Sequence, residues 1–256
     1  MYIKRDGKRV RMPELSYLVR DMLNTEPPGG LILVTGTMAG GKSREIVAAL
    51  HIAYQRLNGK GVQLFRPGKD SRMQVSRDRV EIRYPVEAVI NAAELERKVQ
   101  GDTKVVGIDE AHFLDAGIVE LCRSFVTYGK VVVVGTLLFD FRGEDMPFMQ
   151  GEDGRTVMDL LRIADQIVPQ GVVNCNYVSP EGRTCNRLAS QVQRYKVGNP
   201  ANVLLASNAS DRVHIVDDKQ SEWLYAPVCT HHHFVPGSRD KHRNRTIPES
   251  ASFRLS

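Results

Sequence analysis

An α/β fold built on a parallel sheet is predicted by three features of this 256-residue chain. Short, largely apolar runs recur at residues 31–34, 62–65, 104–108 and 131–136, the first of them unbroken, the pattern of strands buried on both faces. Stretches with helical apolar spacing separate them: Ile46, Val47, Leu50, Ala53, Tyr54 and Leu57 share one helix face, and a second such stretch covers 116–126. Strand–helix alternation of this kind folds into one sheet with helices packed on it. The third feature is a glycine-rich turn, Gly36-Thr37-Met38-Ala39-Gly40-Gly41-Lys42-Ser43, placed between the first run and the first helical stretch. It meets the phosphate-loop pattern GxxxxGK[ST] at every fixed position, in the strand-to-helix setting where that loop works.

The elements follow in order. Residues 1–27 form an N-terminal extension with a short amphipathic stretch (Leu15, Leu18, Val19, Met22, Leu23), closed by the linker Pro27-Pro28-Gly29-Gly30. The first helical stretch, 43–57, stops at Asn58-Gly59, and the second strand stops at Pro67. Residues 28–171 are read as a P-loop, RecA-like core. From about 172 the pattern breaks into short pieces carrying three of the four cysteines, and 172–235 is read as a small second unit. Residues 236–256, rich in Pro, Ser, Arg and Asn, are expected to be a disordered basic tail. No internal repeat is present.

Composition narrows the functional classes. With 42% hydrophobic and 25% charged residues, a chain of this length buries a core without disulfide staples. No apolar run approaches the roughly 18 residues of a membrane span, and no apolar segment follows the basic residues Lys4, Arg5, Lys8, Arg9 and Arg11 as in a secretory leader. A cytoplasmic location is the expectation. The net charge of +5 resides in the extension (+2) and the tail (+3), leaving residues 28–235 neutral. The body therefore has no general attraction for nucleic acid.

The chemistry begins with the phosphate loop. Its backbone N–H groups and the N-terminus of the following helix wrap a phosphate, Lys42 reaches the β- and γ-phosphates, and the Ser43 hydroxyl ligates Mg²⁺. The third apolar run ends in Asp109-Glu110, where a P-loop enzyme keeps one carboxylate for Mg²⁺ and its neighbour for a proton. Residues 109–112 also spell the Asp-Glu-Ala-His string of one helicase class, so a RecA- or helicase-like ATPase acting on nucleic acid is the alternative. Such motors need a second ATPase lobe, for which the remaining residues give little room.

Taken together and in chain order, the motifs resemble the type II thymidine kinases, whose fold joins a P-loop core to a small zinc-bearing lasso domain. Met38 stands at the family's third loop position. Asp109, Glu110, Ala111 and Phe113 match its Asp-Glu-Ala-Gln-Phe motif, with His112 in place of Gln. Pro67, Asp70, Arg72 and Ser76 match the segment after the second strand, where Arg77 replaces a His. Asp140-Phe141-Arg142-Gly143-Glu144 and Pro147-Phe148 match the loop after the fourth strand, stretched by Asp145-Met146. Ala164-Asp165 precedes the first lasso cysteine, Cys175, and Tyr225, Cys229 and His232 match the family's closing motif.

The resemblance implies transfer of the γ-phosphoryl group of Mg²⁺–ATP to the 5′-hydroxyl of thymidine or deoxyuridine. It makes Glu110 the base and Lys42 and Arg72 the charge-neutralising cations. Residues 36–43 and 109–112 (Gly36, Thr37, Met38, Ala39, Gly40, Gly41, Lys42, Ser43, Asp109, Glu110, Ala111, His112) hold the nucleotide, with Ser43 and Asp109 on Mg²⁺. Met38, Asp70, Phe113, Leu137, Phe141 and Tyr225 contact the nucleoside, Phe141 by stacking on the base. The family is usually tetrameric. In the lasso this chain departs from the pattern, with Tyr177 and Val178 where a second metal cysteine is expected. Either Cys175, Cys185, Cys229 and His232 hold zinc, which wants four tetrahedral N/S ligands, or the metal is lost and the cysteines are small core residues beside an exposed 231–233 histidine run. Cys122, on a helical stretch, is read as core.

Overall fold

The computed structural model describes residues 2–5, 8–11, 14–68, 82–148, 154–170, 173–198, 204–211 and 223–254. Its elements are an antiparallel hairpin, β1 (Tyr2–Arg5) and β2 (Lys8–Arg11), then α1 (Leu15–Leu23), β3 (Gly30–Gly36), α2 (Lys42–Arg56), β4 (Val62–Pro67), β5 (Val86–Val89), α3 (Ala92–Lys98) and β6 (Val105–Ile108). They continue with α4 (Ile118–Thr127), β7 (Val131–Gly135), α5 (Met158–Ile163) and β8 (Gln166–Gln170). A second set of strands follows: β9 (Tyr177–Val178), β10 (Gln191–Val197), β11 (Leu204–Ala206), β12 (Leu224–Val228) and β13 (Ser252–Phe253).

Six strands form one parallel sheet in the order β5-β4-β6-β7-β3-β8. Alternate residues of each strand feed opposite faces, as the pleat requires. Ile32, Val34, Leu64 and Val133 pack beneath α1 and α2, and Leu31, Leu33, Val106 and Val132 beneath α3 and α4. Both faces are thus covered, which explains why the four central strands carry consecutive apolar residues, with Gln63 and Arg66 of β4 as buried polar exceptions. The predicted α/β, P-loop, parallel-sheet class is the fold observed.

The amphipathic stretch of the extension is α1, whose Leu15, Leu18, Val19 and Met22 are buried against α2 and the sheet. Each such side chain is worth roughly 1.5–3 kcal/mol when fully buried. One element differs from expectation, the disordered tail. Residues 236–254 fold back on the second unit, where Ile247, Ala251 and Phe253 enter its core and β13 pairs with β9. Composition averaged over 21 residues hides the few apolar side chains that do this, Phe253 lying 4.6 Å from the ring of Tyr195.

The second unit is built on a three-stranded antiparallel sheet, β11-β10-β12, with the β9–β13 pair beside it. It is tied to the loop after β7 by backbone-directed bonds. The ring of buried His233 shares a hydrogen bond with the Phe141 carbonyl at 2.6 Å, and Arg243 Nη1 donates to the Arg142 carbonyl at 2.7 Å.

Candidate active site

The strand order positions the chemistry. With β7 between β3 and β6, the C-terminal ends of β3 and β6 open onto one crevice, the place where parallel α/β sheets bind ligands. β3 delivers the glycine-rich loop. Gly36 has φ +150°, and a Cβ there would collide with the Gln170 carbonyl oxygen of β8. Ala39 and Gly41 take left-handed conformations (φ 60° and 83°) that turn the chain into α2. Lys42, buried, donates from Nζ to the Thr37 carbonyl at 3.0 Å, holding its ammonium back across the loop. The Thr37 hydroxyl is buried with no hydrogen-bond partner among the described residues.

β6 delivers the acidic pair. Asp109 is 1% exposed and accepts a hydrogen bond from the Ser43 hydroxyl at 3.2 Å, joining the two strand ends as the pattern requires. Gly135, ending β7, permits this: a Cβ there would sit 3.1 Å from Asp109 Oδ1. Glu110 occupies the left-handed region (φ 53°, ψ 46°) at the head of a 3₁₀ turn, Ala111–Phe113. A non-glycine residue held there costs on the order of 1 kcal/mol, and such strain collects at functional sites.

His112 is packed inside. Its Nδ1 lies 3.2 Å from the Thr136 hydroxyl and 3.7 Å from Glu110 Oε2, and its ring is 4.4 Å from that of Phe113. The Thr136 hydroxyl donates to the Leu137 carbonyl, so its oxygen accepts and His112 Nδ1 carries the proton. Burial first, then the charge of Lys42, pushes the imidazole pKa down to about 3. The ring is therefore neutral at working pH. A depressed folded-state pKa means the unfolded chain binds the extra proton below its ordinary value near 6.5, so the stability contributed is complete above that pH and drains away on acidification. A His112→Gln variant is expected to lose about 2 kcal/mol less than the parent between pH 7 and 5, read from urea midpoints. Buried His233, held at about 4, leaves a residual slope in both.

The sequence-predicted nucleoside residues are brought partly together. Leu137 belongs to the core cluster with α4 and β7, while Met38 and Phe113 are half-buried at the crevice. Phe141 is buried in a turn that Asp140 builds by accepting from the Arg142 and Glu144 amides and from Arg142 Nε. Tyr225, half-buried on β12, stands opposite Arg194 in register. Asp70 and Arg72, with Ser76 and Arg77, lie outside the described residues. Asp165 ties β8 to β3 by accepting from the Leu31 amide at 2.8 Å.

Several site residues escaped sequence reasoning. Arg66, in β4, has a fully buried side chain with Nε 3.7 Å from Asp109 Oδ2. A charged residue inside an apolar strand demands a buried acid, which was the available signal. Thr136, Arg194 and His233 gave none, because their partners come from distant strands.

Cys175, Cys185, Cys229 and His232 converge, their ligand atoms all within 4.8 Å of one another. The Cys175 and Cys229 sulfurs each lie 3.5 Å from His232 Nδ1, and Cys185 and Cys229 are 4.0 Å apart. That spacing is far beyond a disulfide. It matches the edge of about 3.8 Å in a tetrahedron of Zn–S bonds near 2.3 Å. The donor set fits zinc. Cys122, in contrast, is core: its thiol is fully buried and pushed up to about 12 by that burial.

Among the described residues no helix is long and apolar enough to cross a membrane. Among solved structures, the chain is similar to the ATPase DotB of Legionella pneumophila, at 16% identity and TM-score 0.36, over 72% of this chain and 55% of that one. It is similar to the Pif1 helicase of Candida albicans at 14% identity and TM-score 0.35, over 63% and 40%. It thus spans about half the length of the first and two fifths of the second. A family model described as thymidine kinase matches residues 29–233. That span holds the phosphate loop, the acidic pair, the Phe141 loop and the whole Cys/His cluster, and the chain belongs to the thymidine kinase family.

Proposed function

We propose that the protein is an ATP-dependent thymidine kinase, transferring the γ-phosphoryl group to the 5′-hydroxyl of thymidine or deoxyuridine. The observation that carries this reading is the meeting of Lys42 and Ser43, after β3, with Asp109 and Glu110, after β6, at the ends of two strands that flank β7. Phosphoryl transfer asks mainly for positioning and charge neutralisation, and this crevice is built for both. The loop amides and Lys42 take the phosphates, Lys42 leaving the Thr37 carbonyl to do so. Arg72 is the second cation in this assignment. Ser43 and Asp109 would hold Mg²⁺, which would supply charge neutralisation for the phosphates. Glu110 accepts the hydroxyl proton as the oxygen attacks. His112 beside it is held neutral by burial and adds no charge of its own to that carboxylate. Met38, Phe113, Leu137, Phe141, Tyr225 and Asp70 form the nucleoside pocket in this reading.

The reading also divides the chain into a core over 28–171 and a lasso over 172–235, assigns zinc to the Cys₃His cluster as a structural ion, and expects a homotetramer. The cluster lies in the lasso core with Tyr177 stacked on His232 at 3.9 Å. A bound ion would therefore stabilise the unit that carries Tyr225. Purified protein is expected to contain one zinc ion per chain by atomic emission. A Cys185→Ser variant is expected to lose at least about tenfold in zinc affinity.

The test of function is incubation with Mg²⁺–ATP and each of thymidine, deoxyuridine, deoxycytidine and deoxyadenosine, with chromatography of the products. Thymidine monophosphate is the expected product. ATP hydrolysis stimulated by single-stranded DNA, with no monophosphate formed from any nucleoside, would overturn the proposal in favour of a nucleic-acid motor.

A further inference from the structure

The geometry points to Arg194 as a positioning residue that fixes the Phe141 loop and the Tyr225 strand relative to each other, and so sets the grip on the nucleoside. Arg194 lies on β10, the central strand of the lasso sheet, and is 2% exposed. Its guanidinium carbon is 3.7 Å from the centroid of the Phe141 ring and 4.9 Å from that of Trp223. Nε and Nη2 both donate to the Ser207 hydroxyl, at 2.9 and 2.6 Å, and that hydroxyl donates to Asp211 at 2.6 Å. Arg194 also hydrogen-bonds the side chain of Tyr225, its cross-strand neighbour. One buried cation therefore touches two of the three aromatic residues assigned to the nucleoside, Phe141 from the core loop and Tyr225 from the lasso.

The chemistry selects arginine for this place. A planar guanidinium lies flat on a ring while its edge donates in several directions, which the compact ammonium of lysine cannot do. A desolvated cation on an aromatic face is strongly held, and the nearby Asp211 carboxylate offsets the burial of charge. Arg194 over the Phe141 ring and His233 on the Phe141 carbonyl hold the residue from two sides, with the Arg142 guanidinium 5.9 Å from the ring centroid. The prediction is specific to nucleoside. No described contact of Arg194 is with the phosphate loop, so ATP recognition is left alone.

The assignment rests on the proposed kinase reading, and its test separates the two. Steady-state kinetics would be measured for the parent, Arg194→Lys and the milder Ser207→Ala, which removes a shared acceptor without burying an unpaired charge. In parallel, thymidine would be titrated against the emission of Trp223, the single tryptophan of the chain. Arg194→Lys is expected to raise KM for thymidine roughly tenfold or more, with KM for ATP unchanged within about twofold. Ser207→Ala should move thymidine KM in the same direction by about threefold, and the Trp223 titration should weaken in step. An active parent whose variants keep the parental thymidine KM would overturn the Arg194 assignment alone. So would equal losses in the thymidine and ATP parameters, the mark of a merely structural residue. A parent that makes no thymidine monophosphate and shows no Trp223 response would overturn both readings together. If Arg194→Lys does not fold, Ser207→Ala decides.

Discussion

Replacing Glu110 by Gln is expected to lower phosphoryl transfer to thymidine by about 10²–10⁴-fold, the usual contribution of a positioned general base, while ATP binding stays within about twofold. Gln has the size and shape of Glu and keeps the left-handed turn at φ 53° no more strained than before. Its amide cannot take a proton from the nucleoside hydroxyl. The phosphate-holding parts, Lys42 and the Ser43–Asp109 pair, are left intact, so the loss should fall on kcat. Single-turnover measurements with bound Mg²⁺–ATP separate this from slow product release. A variant retaining more than about a tenth of parental kcat would show that the proton goes elsewhere.

The second large effect is on stability. Asp109 and Arg66 form a buried ion pair, with side chains 1% and 0% exposed. Removing one charge of such a pair typically costs 3–5 kcal/mol, because the survivor is stranded in a poor solvent. Asp109→Asn is therefore expected to lose about 3 kcal/mol, a fall in Tm of roughly 6–10 °C for a chain of this size, and to lose Mg²⁺-dependent activity as well. In the double variant Arg66→Met/Asp109→Asn most of the stability should return, since no buried charge is left, but the activity should not. Thermal unfolding of the four forms gives the cycle. Equal Tm values for Asp109→Asn and the parent would show that the pair contributes nothing to the fold.

What the sequence made legible follows from where the information lies. The four central strands are buried on both faces and so are written as largely apolar runs, β4 alone interrupted by Gln63 and Arg66. The edge strands Val86–Val89 and Gln166–Gln170 are half-buried or exposed at most positions, and left no such trace. The phosphate loop and the acidic pair are local motifs, visible from spacing alone. The Cys₃His cluster is not local: Cys185 and Cys229, 44 residues apart, meet because the turn after β9 and the end of β12 pack together. Cys185 stands in for the cysteine that the family pattern would put at Tyr177 or Val178. Arg194 was beyond reach for the same reason, since nothing beside it in sequence announces Phe141 or Trp223.

The packing of α1 and β13 has a consequence for how this chain is to be divided. Kinship is recognisable over residues 29–233, yet α1 lies before that span and roofs Ile32, Val34 and Ala53. Beyond its other end, Arg254 donates to the Cys175 carbonyl and exchanges bonds with Asn176, bracing the segment before β9 that carries the first cysteine of the cluster. Cutting at the limits of ancestry would unroof one face of the sheet and unbrace the cluster together. What marks this chain's descent and what lets it hold its shape are two different lengths of the same polypeptide.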